Sequence, residues 1–208
     1  MQNSSRTSNL VNATREFLLF IDRRIVGPFP KDVRMRLLAA FLSTALEHAN
    51  SILLLLETGR NTGSAFALVR TLVETAYRGQ WIYFLANDET IKQIKNSRSK
   101  IDYPQFTEMA KKIEEFHQTT GLRLFTVDNF DWKTLNGFTH TGLEQIARRF
   151  DKQGNVNPTY TEDEIADMIR MTIRQLLHLS ITFCAMKEKR QEATEIGIEC
   201  NRMVKELF

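Results

Sequence analysis

The chain has 208 residues, 42% of them hydrophobic and 25% charged, with a formal net charge of +3. That length is enough to bury a full core without staples, so one domain spanning residues 1–208 is expected. A near balance of 28 basic against 25 acidic residues excludes a strongly basic nucleic-acid-binding protein, and two cysteines exclude a disulfide scaffold or a four-cysteine zinc site.

The opening residues MQNSSRTSNL are polar and lack the apolar core of an export signal, so a reducing cytoplasmic setting is expected. Residues 9–26 carry Phe17, Leu18, Phe20, Ile21 and Ile25 on one side and predict a first helix. The GPFP stretch at 27–30 ends it, because proline disfavours helix in the residue before it. Asp32 is placed to cap a second helix running to about Thr58, with Gly59 as its stop. Residues 37–56 of that helix are the most membrane-like in the chain. Ser43, Thr44, Glu47, His48, Asn50 and Ser51 within them predict a buried helix rather than a bilayer span.

Thr62 or Ser64 is expected to cap a third helix over about 64–86, antiparallel to the second across so short a turn. Residues 87–100 read as a polar helix or connector. Pro104 suits the first turn of a fifth helix, which runs to about Thr119 and makes His117 an exposed residue of a polar amphipathic helix. Residues 122–131 admit a short strand. A sixth helix is expected from Trp132 to about Phe150, kinked at Asn136-Gly137. After a loop at 151–161, Thr161 and Glu164 form a capping box. It opens a long C-terminal helical region, 161–208, which is one helix or two divided at the charged stretch 187–192. Ile196, Cys200, Met203, Val204 and Leu207 form an amphipathic stripe there that needs cover, and a homodimer is one way to supply it. The fold class is all-α, a single-domain bundle of about six or seven helices.

The third helix is apolar almost all the way round, yet Arg70, Glu74 and Arg78 lie on it at i, i+4 and i+8 and share one face, flanked by Tyr77 and Trp81. Buried charges must be paired or must line a ligand site. An internal salt-bridge stripe and a pocket facing an anion are both compatible with the pattern. Glu47 and His48 lie on a matching stripe of the second helix with Thr44 and Ser51. Asn136, Gly137, Phe138, Thr139, His140, Thr141 and Gly142 surround a histidine with small residues, and Glu144 lies four residues beyond it, placed to orient the ring for acid–base work. His178 sits among leucines and reads as a core histidine. No zinc-type spacing, phosphate loop or nucleophile elbow is present, so neither a metal nor a cofactor is expected.

The run SAFALVRTLVETAYRGQWIYFLA (64–86) followed by LNGFTHTG (135–142) resembles uncharacterised bacterial all-helical families with an Arg-x-x-x-Glu helix and an Asn-x-x-x-His segment. These are distantly similar to HEPN-like proteins of toxin, abortive-infection and other phage-defence loci. HEPN ribonucleases carry an arginine, then four to six residues, then a histidine; Asn136-x-x-x-His140 and Arg174-x-x-x-His178 both depart from that. The resemblance therefore implies a non-catalytic helical module, binding a ligand or a partner around Arg70, Glu74 and His140. Arg78, Tyr77, Trp81, Glu47, His48 and Asn136 are further candidates. RNA, a nucleotide or a partner protein are the expected partners, without a membrane. The alternatives are a metal-independent ribonuclease, with His140 as acid/base, Glu144 orienting it and Arg70 stabilising charge, and a structural oligomer.

Overall fold

The computed structural model describes residues 5–25, 27, 32–96, 103–120, 129–140 and 142–207. Among them it is all-helical apart from one isolated antiparallel bridge between Phe150 and Val156. The strand admitted at 122–131 falls, up to residue 128, outside the described residues.

Helix α1 spans Ser5–Ile25 and α2 spans Val33–Glu57. Asp32 caps α2 as expected, its carboxylate accepting the Met35 N–H at 2.8 Å. Gly59 then turns the chain at φ 62°, a left-handed conformation that glycine adopts without a Cβ clash. Helix α3 spans Thr62–Phe84. The expected cap at Thr62 or Ser64 is corrected. Asn61 precedes the helix and makes no side-chain capping bond, its amide donating to the Thr58 hydroxyl at 3.2 Å instead. Short α4 (Asp88–Asn96) and α5 (Phe106–Thr120) follow.

The expected sixth helix is two. Helix α6 ends at Thr139 after starting at Asn129, and α7 spans only Leu143–Ala147. The Gly142 N–H reaches back to the Gly137 carbonyl at 2.7 Å, a closing bond typical of a helix C-terminus. The C-terminal region is also two helices, α8 (Glu162–Met186) and α9 (Arg190–Leu207). The predicted box opens α8: Thr161 Oγ1 accepts the Glu164 N–H and Glu164 Oε2 accepts the Thr161 N–H. Glu188 at φ 57° and the Lys189 N–H bond to the Cys184 carbonyl separate the two helices. These two breaks bring the bundle to nine helices among the described residues, rather than six or seven.

Helix α3 is central. It packs on α2 and α8 and is covered further by α5 and α6, while α1 and α9 lie against α8. Helix α2 is long and apolar enough to cross a membrane, but Leu38, Leu42, Ala45, Ala49, Ile52 and Leu56 are buried in the core. The C-terminal stripe is met within the chain: Ile196, Cys200 and Met203 are buried and Val204 and Leu207 half-buried as α9 packs on α8 and α1. The need for cover that motivated a dimer is thereby answered.

His117 is not exposed. It is 1% accessible, and its Nε2 lies 3.0 Å from Gln80 Oε1 of α3, with its ring edge-on to Phe84. The residues around it on α5, Met109 and Ile113, are the apolar side of that helix, and His117 continues their stripe at i+4 from Ile113. His178 of α8 is buried too, as expected. Burial pushes the His117 ring below its ordinary value, and burial, with His117 and Arg174 nearby, pushes His178 down to about 4.

At Gly79, α3 comes close to α2 and α8: a Cβ there would lie 2.9 Å from Phe41 Cβ and 3.2 Å from Leu179 Cδ1. Gly79→Ala is expected to destabilise by about 1–3 kcal/mol through overpacking, despite the better helix propensity of alanine. Urea denaturation checks this, and a stabilised variant would contradict the close packing.

The buried histidines set a pH dependence. A folded-state value of about 4 for His178, against about 6.5 unfolded, means the unfolded chain binds the proton first as pH falls. Stability from His178 is complete above about pH 6.5 and is lost on acidification through about pH 4, by about 3 kcal/mol in all. Denaturation curves at pH 7.5, 5.5 and 4.5 should show this loss, and His178→Gln should flatten it.

Candidate functional site

The stripe on α3 is brought against α6. Arg70 donates from Nε to Asn136 Oδ1 at 2.6 Å, and its Nη1 lies 3.6 Å from Glu74 Oε2. Arg78 Nη2 donates to Glu74 Oε1 from the next turn. One carboxylate thus serves two guanidiniums. The Arg70 and Glu74 side chains are 22% and 20% exposed and that of Arg78 is 38% exposed, so the stripe is largely covered yet reaches solvent.

Aromatic rings wall it. Arg70 lies over the Trp132 ring at 5.0 Å and Arg78 over the Tyr103 ring at 4.4 Å. Trp132 stacks on Phe106 at 3.5 Å, Phe106 meets Tyr77, and Tyr103 meets Trp81 edge-on. Tyr77 and Trp81 are buried, the others half-buried. Burial raises the Tyr103 hydroxyl above its ordinary value and Arg78 partly opposes that shift, so the phenol stays neutral near pH 7.

Sequence reasoning named Arg70, Glu74, Arg78, Tyr77, Trp81 and Asn136, and these converge. It missed Tyr103, Phe106 and Trp132. Trp132 stands four residues before Asn136, a spacing that puts both on one face of α6, and this was a readable signal. Tyr103 precedes Pro104 in a connector, where no periodicity marks a facing side, whereas Phe106 opens α5 three residues before Met109, a spacing that was readable.

Glu47 and His48 are not brought in. Glu47 is exposed and His48 half-buried, and among the described residues no hydrogen bond or ion pair joins them to Arg70 or Glu74. The apolar positions of α2 that are buried in the core leave Glu47 facing away from it. His140 is exposed just past the end of α6; its backbone N–H donates to the Asn136 carbonyl at 2.9 Å. Its ring has no hydrogen bond or ion pair to Arg70, Glu74 or Arg78 among the described residues. Thr141 and the Glu144 side chain lie outside the described residues. Arg148 pairs with Glu164 of α8. Thr139 donates from its hydroxyl to the Ala67 carbonyl at 3.3 Å and to the Leu135 carbonyl at 3.0 Å, and so helps fix α6 on α3. No group of three or more metal-ligating residues occurs among the described residues.

Glu74→Gln is expected to lower stability by about 1–2 kcal/mol, since it leaves two partly covered guanidiniums without a countercharge, discounted for their exposure. Adding Arg78→Gln should recover part of that loss. A double-mutant cycle by chemical denaturation reads the coupling, and strict additivity would count against a shared carboxylate.

No match is found among curated proteins or among solved structures. The profile of a family described as of unknown function, DUF6988, matches residues 42–205, a stretch that contains α3, α6 and every residue of the stripe and its walls, and the chain belongs to that family.

Proposed function

We propose that the protein is a non-catalytic helical module that binds a ligand or a partner at the Arg70–Glu74–Asn136 site, in a bacterial defence or stress system. One observation carries the binding reading. Charged groups on the central helix are held in fixed positions by Asn136 and by aromatic walls, and they still reach solvent. Fixed polar groups that remain reachable from solvent beside aromatic walls are what a binding site needs. The non-catalytic part is supported by the surroundings of His140, whose exposed ring lies outside the bonded network of Arg70 and Glu74. A general base needs hydrogen-bond reach to the reacting proton and benefits from a partner that orients it. The defence or stress setting rests on the sequence resemblance of the α3 and 135–142 segments.

The test is mass spectrometry of small molecules and RNA released from the purified protein. The wild type is expected to retain one species in stoichiometric amount, and Trp132→Ala, checked for folding, is expected to lose it. Release of the same species from both proteins would remove the site from the reading. His140→Gln is expected to leave both the melting temperature and ligand retention unchanged. Loss of cellular activity in a folded His140→Gln protein would return the ribonuclease reading.

A further inference from the structure

The geometry points to an oxyanion, a carboxylate or a phosphate, as the group this site takes, seated on the Arg70 guanidinium beside Trp132. The inference rests on the binding reading above and adds the ligand's chemistry.

Charge is the first support. Arg70 and Arg78 share Glu74 as their single carboxylate among the described residues, so the stripe carries an excess positive charge. An excess cation that is largely covered by protein is costly unless an anion answers it.

Hydrogen bonding is the second. Among the described residues the Arg70 guanidinium makes one hydrogen bond, from Nε to Asn136 at 2.6 Å. Its Nη1 is 3.6 Å from Glu74, close enough for an ion pair and too far for a hydrogen bond. Among the described residues the hydrogens on both Nη atoms are therefore unanswered, although the side chain is only 22% exposed. The paired donors along the edge of a guanidinium match the two oxygens of a carboxylate or phosphate.

Pre-organisation is the third. Asn136 fixes the Nε edge, Glu74 holds Nη1 from one side, and the Trp132 ring lies at 5.0 Å. The fork is oriented before a ligand arrives, which lowers the ordering cost of binding. Half-buried Trp132 and Tyr103 at either end of the stripe fit a flat apolar body on the same ligand.

Benzoate, phenyl phosphate, inorganic phosphate and neutral benzyl alcohol are the probes, read as shifts in melting temperature of the full chain and as Kd by calorimetry. At a hundred times Kd, benzoate or phenyl phosphate is expected to raise the melting temperature by about 5–10 °C. Arg70→Lys, which keeps the charge and loses the fork, is expected to weaken that binding about tenfold. Asn136→Asp supplies the missing negative charge from within; it is expected to raise the melting temperature of the free protein and to weaken oxyanion binding at least as much. It also serves if Arg70→Lys does not fold. A response to benzoate alone assigns a carboxylate, and one to the phosphates alone assigns a phosphate. Equal stabilisation by benzyl alcohol overturns the oxyanion and leaves the binding reading intact. No shift with any probe, or unchanged binding in Asn136→Asp, also overturns the oxyanion; the released-species experiment then judges the binding reading separately.

Discussion

The fold is organised by one constraint: helix α3 is apolar on most of its circumference and charged on a single stripe. Its apolar sides must be covered, and α2, α8, α5 and α6 cover them. Its charged stripe must be answered by groups that accept hydrogen bonds or carry opposite charge. Glu74 supplies the charge and Asn136 the acceptor. Because Asn136 lies on α6, the demand of Arg70 also fixes where α6 docks. The Thr139 hydroxyl and the Phe66–Phe138 ring contact at 4.7 Å reinforce the same placement.

Two polar devices sit along α3, and they differ in kind. Gln80 and His117 meet in the sealed interior, where burial holds the imidazole in its neutral form. A neutral pair answers hydrogen bonds without the cost of burying a charge. Along the two turns that end at Arg78, Arg70, Glu74 and Arg78 form an ion-paired stripe that is partly open to solvent. The first device ties α5 to the core. The second is open enough to meet another molecule, and that contrast is why the binding reading falls on it.

The segment between α6 and α8 shows how local chemistry and docking combine. The Phe150–Val156 bridge closes a turn in which Asp151 accepts N–H groups from Gln153 and Asn155. Those bonds hold its carboxyl below the usual range. Tyr160 then stacks on Phe66 at 4.9 Å, and its hydroxyl comes so near Gly63 that a Cβ there would be 2.8 Å away. A glycine at the second residue of α3 is what lets the returning chain pack against the start of that helix. Leu143, Ile146, Phe150 and Val156 remain exposed along the same segment.

The sequence by itself determined the all-helical class, the caps at Asp32 and Thr161, the stop at Gly59 and the shared face of Arg70, Glu74 and Arg78. All of these are local: they depend on periods of three and four residues or on one side chain reaching its own backbone. Tertiary structure alone decided which stripe met which. The matching stripes of α2 and α3 looked alike in spacing, but the buried apolar positions of α2 left Glu47 outside. The side of α5 on which His117 falls looked polar until Met109 and Ile113 were packed inward, carrying the ring into the core with them. Tyr103 joined the site through a connector that has no period to read, and Phe106 from the first turn of α5. Spacing fixes which residues share a face of one helix, whereas the partner of that face depends on how several apolar surfaces are buried together, and that is a property of the whole chain.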